Sequence, residues 1–338
     1  MDTAESLTRL YLDAIENGLK RAVEHSDSFE STRLHEMLAY HMGWMDHKRK
    51  SSLAGKRIRP LLVLLVCSAA GGDWNNALPG ATAVELIHNF SLIHDDIEDH
   101  SSLRRGRPTV WKKWGVPQAI NTGDAMFALA HLEAIRLADT VNVQVGLQAV
   151  EILQKTCLHL TQGQFLDLSY ETRSDLTLDD YWPMVEGKTA ALISASTEIG
   201  ALAALKNQPL SELYRRFGLL LGLAFQIQDD YLGIWGDSCL TGKSSQSDLV
   251  TGKLTLPVIY ALSKSAQFAE RWNAGQICGS DVQDVIKLLE TEGVADFTRG
   301  QASRLLNEAL MVLQKAEPKG IAQEALESLA MNLVNRQT

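Results

Sequence analysis

The chain has 338 residues, 45% of them hydrophobic, and a formal net charge of −9. That is ample material for a packed core, and the acidic balance argues against nonspecific binding of nucleic acid, so no such partner is expected. The four cysteines, Cys67, Cys157, Cys239 and Cys278, are far apart and form no CxxC pair, which argues against a disulfide framework or a cysteine zinc site.

The N-terminal stretch "MDTAESLTRLYLDAIENGLK" is acidic and amphipathic with no apolar signal core. No run approaches the length of a membrane span, so a cytoplasmic location is expected. No linker rich in Pro, Gly or Ser divides the chain, and only 8 prolines occur. One domain over 1–338 is expected, with a short polar lead-in. Leu61 to Ala70 is apolar all round and predicts a fully buried helix. From Ala81 to Asp99, Leu86, Phe90, Ile93 and Ile97 follow one helical face. Segments 118–140, 143–168 and 178–204 also fit helices. From Ser211 to Trp235, Leu213, Phe217, Leu220, Ala224, Ile227 and Tyr231 repeat the helical stripe. Segments 255–270, 281–291 and 298–335 complete the pattern. Breaks are predicted at Gly71-Gly72, Gly106-Arg107-Pro108, Gly115 to Pro117, Asn207 to Pro209 and Gly236 to Gly242. No alternating strand stands out, so the fold class is all-α.

Charge interrupts the apolar helices at two places. In "DDIED", Asp95 and Asp99 lie four apart on one face with Asp96 beside them, and such like charges repel. Magnesium would compensate, since it takes oxygen ligands and often uses one or two carboxylates plus substrate phosphates. In "FQIQDDYLGIWGD", Asp229 and Asp230 sit near the end of a second apolar helix. If the two helices lie side by side, metal ions between the pairs would grip a diphosphate and draw its charge off as it leaves. Basic residues accompany these clusters: "GKRIRP" from Gly55 to Pro60; Arg104, Arg105 and Arg107; Lys188 in "EGKTAAL"; Lys243 and Lys253. Arginine forks match phosphate oxygens and lysines act on them as point charges. As a set they point to two anionic pockets, one filled through metal and one held directly. "GDSCLTGKS" is not a P-loop: five residues separate its glycines where four are required, and a helix precedes it. His88 and His94, six apart, do not have zinc-pair spacing.

"GKRIRP", "LIHNFSLIHDDIEDHSSLRRGRPT", "GKTAAL", "FQIQDDYLGIWGD" and "TGKSSQSDLVTGKLTLPVIYAL" occur in that order over about 55–262. The chain thereby resembles the trans-type isoprenyl diphosphate synthases of the polyprenyl synthetase family, most of all those forming geranylgeranyl diphosphate. The resemblance implies a single bundle of long helices around a deep central cavity, a homodimer, and three magnesium ions per site. It implies condensation of isopentenyl diphosphate with an allylic diphosphate. Carried over by position, Asp95, Asp96, Asp99, Asp229 and Asp230 would bind metal. Arg104 and Lys188 would contact the allylic diphosphate, with Lys243 and Lys253 near the metal-bound phosphates. Lys56, Arg59, His88 and Arg105 would hold isopentenyl diphosphate, and Thr189 and Gln226 would line the developing carbocation. Gly233 departs from the pattern, which ends the second motif in Asp; Asp237 is the nearest substitute, and Gly233→Asp is expected to be tolerated.

Product length turns on Phe90 and Ser91. At 1.5 Å per residue they lie about 7.5 and 6 Å along the helix from Asp95. The large Phe90, with no insertion in the acidic motif, resembles the C20-forming type; the alternative is C15. A class I terpene cyclase binds one diphosphate and has no need of the "GKRIRP" and Arg105 pocket. A non-catalytic partner subunit is expected to lose acidic residues that this chain keeps.

Overall fold

The computed structural model describes residues 3–24, 32–45, 57–205, 207–236, 247–279 and 281–336. Lys56, Lys243, Asp237 and Cys239 lie outside them. In chain order the elements are α1 (Ala4–Glu24), α2 (Thr32–Met42), α3 (Ile58–Ala69), α4 (Trp74–Glu98), β1 (Leu103–Arg104), β2 (Arg107–Pro108), α5 (Val110–Trp114), α6 (Val116–Ile135) and α7 (Leu137–Thr140). There follow α8 (Val143–Tyr170), α9 (Leu178–Val185), a π-helical turn (Glu186–Ala190), α10 (Ala191–Ala203), α11 (Gln208–Trp235) and α12 (Ser247–Thr251). The last are α13 (Leu256–Lys264), α14 (Ala266–Asn273), α15 (Asp281–Thr291), α16 (Val294–Lys315) and α17 (Gly320–Val334). The all-α class is as expected.

The sequence divides into two compact units, one of Met1–Cys157, Ala195–Arg215 and Ala316–Leu326, the other of Leu158–Ser194, Arg216–Lys315 and Glu327–Thr338. In the first, α3 is buried from Pro60 to Cys67 and packs on α4, which also lies along α6 and α1. The approach of α10 to α3 is at backbone distance. A Cβ on Gly200 would stand 2.5 Å from the Val63 carbonyl oxygen. Asp73 starts α4 by accepting a hydrogen bond from the Asn75 N–H, the usual service of an N-cap carboxylate. In the second unit, α13 packs against α14 and α16. Val258, Phe268, Val285, Ile286 and Leu289 share one apolar cluster there.

Four expected helices are interrupted. Segment 178–204 widens into the π-turn at Glu186–Ala190. Segment 255–270 breaks at Ser265, whose side chain accepts from the Phe268 N–H and starts a new helix. The long C-terminal segment stops at Lys315 and restarts at Gly320, with left-handed Glu317 before Pro318. Segment 118–140 likewise ends at Ile135, with a further turn at Leu137–Thr140. The one pair of strands among the described residues is the two-residue hairpin β1–β2, in which Leu103 faces Pro108 and Arg104 faces Arg107. Its turn residues Arg105 and Gly106 have φ of 51° and 73°. Positive φ at both is what a tight hairpin turn that follows strand twist requires.

Candidate active site

In the first unit the acidic motif occupies the C-terminal end of α4. Asp95 is half-buried, Asp96 is buried and Asp99, the C-cap, is exposed. Asp96 does not point freely into solvent. Both its oxygens accept from Arg104 Nε, at 3.0 and 2.9 Å, and Arg104 Nη2 lies 2.9 Å from Oδ1. Burial pushes its carboxyl above the ordinary range while Arg104 pulls the other way. The hairpin therefore carries Arg104 back onto the motif that precedes it.

Arg57 leads into α3 in the left-handed region, with φ of 46°. Its buried guanidinium is held by Glu16 and Glu85, each at 2.6 Å. Two residues on, Arg59 Nη1 lies 3.3 Å from His88 Nε2. A guanidinium only donates, so this ring nitrogen is the acceptor and Nδ1 carries the hydrogen. Burial, then the charges of Arg59, Arg105, Arg104 and Arg57, hold His88 well below the usual imidazole range. Arg59, His88, Arg104 and Arg105 are thus gathered in one electropositive region beside the α4 carboxylates, with His88 neutral.

Phe90 is half-buried one turn before His94 and meets its ring at 4.9 Å; on α6 it meets Phe127 at 5.1 Å. Ser91 Oγ donates to the His88 carbonyl at 2.9 Å. Phe127 and His94 extend the aromatic wall that sequence reasoning placed on Phe90 alone. The α6 backbone comes close here because residue 123 is glycine: a Cβ would stand 2.3 Å from His94 Nε2.

In the second unit the π-turn carries Lys188 and Thr189. Lys188 is ion-paired to Asp167 of α8. Thr189 Oγ1 donates to Gln226 Oε1 at 2.7 Å, and Gln226 Nε2 donates to Asp230 Oδ1 at 2.8 Å. The other Asp230 oxygen accepts from the Tyr181 hydroxyl at 2.7 Å and from the Leu256 N–H at 3.0 Å. Burial pushes the Asp230 carboxyl up to about 6, against the pull of these hydrogen bonds and of Lys253. Asp167, Lys188, Thr189, Gln226, Asp230 and the exposed Lys253 line a cavity of about 40 Å³, room enough for a water-sized guest.

Asp229 is half-exposed and ion-paired to Arg336. The Arg336 guanidinium lies over the Phe225 ring at 4.7 Å, and its carbonyl accepts from Gln228 Nε2 at 2.8 Å. The C-terminal segment, which carries no motif, therefore reaches the second acidic cluster. Gly233 also differs from expectation: a Cβ there would stand 1.9 Å from Asp248 Oδ2. The Asp248 carboxylate occupies the space beside α11, so Gly233→Asp is accommodated only if that carboxylate moves away.

Residues 45–291 match the family model described as polyprenyl synthetase. The chain belongs to the polyprenyl synthetase family. It is 39% identical over 312 residues to a (2E,6E)-farnesyl diphosphate synthase of Mycobacterium bovis, covering 89% of this chain and 86% of that one. Over 299 residues it is 40% identical to a geranylgeranyl diphosphate synthase of Mycobacterium tuberculosis, covering 86% and 84%. The fold superposes on the geranylgeranyl pyrophosphate synthetase of Pyrococcus horikoshii with a TM-score of 0.88 at 32% identity, covering 98% of each chain. This polyprenyl synthetase is an isoprenyl diphosphate synthase and hence a trans-prenyltransferase. No helix among its described residues is long and apolar enough to cross a membrane.

The arginines around α2 give this polyprenyl synthetase a measurable pH dependence. Burial, then Arg104, Arg105, Arg107 and Arg57, lower the His41 imidazole to about 3. Between pH 6.5 and 3 the unfolded chain binds a proton there that the native chain does not. Stability is therefore lost as pH falls below 6.5, by up to about 1.4 kcal/mol per unit for this group. Urea unfolding at pH 6.5 and 5.0 is expected to show a loss about 1.5 kcal/mol smaller in His41→Gln than in the parent. Equal losses would remove His41 from the account.

Proposed function

We propose that this synthase joins isopentenyl diphosphate to an allylic diphosphate and releases geranylgeranyl diphosphate, C20. The choice of length is carried by the Phe90 ring, about 7.5 Å along α4 from Asp95 and backed by Phe127 and His94. Farnesyl diphosphate, C15, is the second reading, favoured by the likeness to the farnesyl diphosphate synthase of Mycobacterium bovis.

Magnesium is the metal in this reading, three ions to a site. Among the described residues no three His, Cys, Asp or Glu side chains form a ready cage. Magnesium held by one or two carboxylates and by substrate oxygens suits such a donor set. Asp95 and Asp99 from α4 and Asp229 from α11 would hold it, and Asp96, gripped by Arg104, stiffens the acidic end. Held by these carboxylates, magnesium would supply positive charge to offset that of the departing diphosphate.

The chain's own residues supply the rest. Arg104 and Lys188, with Lys243 and Lys253, take oxygens of the allylic diphosphate. Lys56, Arg59, His88 and Arg105 hold isopentenyl diphosphate, with neutral His88 accepting from Arg59 at one ring nitrogen and offering Nδ1–H to a phosphate oxygen. Thr189 and Gln226 turn oxygen dipoles toward the allylic cation, and apolar walls keep out water that would quench it. The double bond of isopentenyl diphosphate attacks, and the released diphosphate takes the proton. The chain acts as one catalytic domain, in the cytoplasm. It pairs with a second copy: α6 exposes Ile120, Leu132 and Ile135, and the first half of α8 exposes Val143 and Leu147, an apolar surface of the kind that marks protein contacts. Sedimentation at the mass of one chain would end the dimer reading.

Purified protein incubated with magnesium, isopentenyl diphosphate and each allylic starter is expected to give C20 product, and Asp229→Ala is expected to abolish turnover. Near-normal turnover of that variant would contradict the assignment of Asp229, and C15 as the sole end product would favour the second reading. Phe90→Ala is expected to lengthen the product; chromatography showing an unchanged product distribution would refute a floor role for the ring.

A further inference from the structure

We infer that Asp230 is a positioning residue, which fixes the direction of the Gln226 amide and, through it, the polarity of the Thr189 hydroxyl, and that it contributes no oxygen to the metal. The inference rests on the reading of Thr189 and Gln226 as the groups facing the allylic cation.

Gln226 and Asp230 are four residues apart on α11, so they lie on one face. A carboxylate only accepts hydrogen bonds. With Gln226 Nε2 2.8 Å from Asp230 Oδ1, the amide must turn its NH2 toward Asp230. The two ends of an amide are otherwise hard to tell apart, and here the acceptor-only neighbour decides between them. Oε1 then faces Thr189 at 2.7 Å. Being an acceptor itself, it obliges the Thr189 hydroxyl to donate. The hydroxyl hydrogen is committed to Gln226, and the remaining lone-pair density of Thr189 is left for the cavity it lines. A positive centre facing that oxygen meets lone pairs. With the amide reversed, NH2 would donate to Thr189, and the hydroxyl hydrogen would be free to turn toward the same positive centre.

Asp230 is itself pinned. Its second oxygen accepts from the Tyr181 hydroxyl and the Leu256 N–H, and the residue is only 4% exposed. Three donors from α9, α11 and the start of α13 thus engage its two oxygens. These donors take both lone pairs of Oδ2 and one of Oδ1, so a metal ion could reach this 4%-exposed carboxylate only at one remaining site on Oδ1, whereas half-exposed Asp229 next to it faces a different environment.

Asp230→Asn keeps size and shape but admits the reversed amide. Its kcat is expected to fall by about tenfold to a hundredfold, the effect of losing one hydrogen bond to a charged group. KM for both diphosphates, and binding of magnesium pyrophosphate followed by calorimetry, are expected to stay within about twofold of the parent on the same reasoning. Combined with Gln226→Leu, Asp230→Asn is expected to add no further loss, because its effect passes through an amide no longer present. Tyr181→Phe, which leaves the carboxylate in place, is expected to lower kcat in the same pattern by less, and it serves if Asp230→Asn does not fold. Weakened magnesium pyrophosphate binding in Asp230→Asn would make it a metal-holding residue and overturn the inference. So would losses that multiply in the double variant. An unaffected Gln226→Leu enzyme would instead remove the underlying assignment of Gln226, and the inference with it.

Discussion

The second unit is organised by a backbone contact that leaves no room for side chains. A Cβ on Gly163 would stand 2.1 Å from the Lys188 nitrogen, and one on Gly187 would stand 2.6 Å from the His159 carbonyl oxygen. Helix α8 therefore lies directly on the π-turn. Helix α11 meets the turn as closely, since a Cβ on Gly222 would reach within 2.6 Å of Ala190 Cα. One helical turn beyond each glycine is the residue that engages the π-turn: Asp167 after Gly163 for Lys188, and Gln226 after Gly222 for Thr189. Close approach and functional pairing are consequences of the same two contacts. The wide turn itself is a rare conformation that tends to persist where a site needs its register.

The two units handle charge in opposite ways. The first gathers arginines and pairs two of them with carboxylates: Arg57 with half-buried Glu16 and buried Glu85, Arg104 with buried Asp96. Burial first, and the surrounding arginine charges second, drive both His41 and His88 toward the neutral form. A neutral His88 costs less to keep beside Arg59 than a protonated one and can accept its hydrogen bond. The second unit also buries a carboxylate, but it satisfies Asp230 with three neutral donors. Neutral donors satisfy the buried oxygens without bringing a second charge into the core.

Much of this was legible in the residues. The period of α4 and α11 and the acidic pairs at their ends follow from local spacing, as does the buried α3. What was not legible depends on partners far along the chain. Asp167 meets Lys188 across 21 positions, Tyr181 meets Asp230 across 49, and Arg336 meets Asp229 across 107. No local pattern marks such residues. The π-turn within 178–204 is invisible for a related reason. Its composition is ordinarily helical, and the glycines that lie against it, Gly163 and Gly222, are on other helices. Phe127 was missed beside Phe90 because the approach of α6 to α4 is set by the absence of a side chain at Gly123. The hairpin was read only as a break, because two-residue strands are too short to alternate.

The hairpin turn sets two demands on a single residue. Arg105 holds a left-handed backbone, φ of 51°, which costs a side-chain-bearing residue about 1–2 kcal/mol and glycine almost nothing. Any chemistry that uses its guanidinium forbids that easy relief. Selection for robustness and selection for grip on an anion therefore pull this position toward different amino acids. The arginine found there keeps its charge at the cost of that backbone strain.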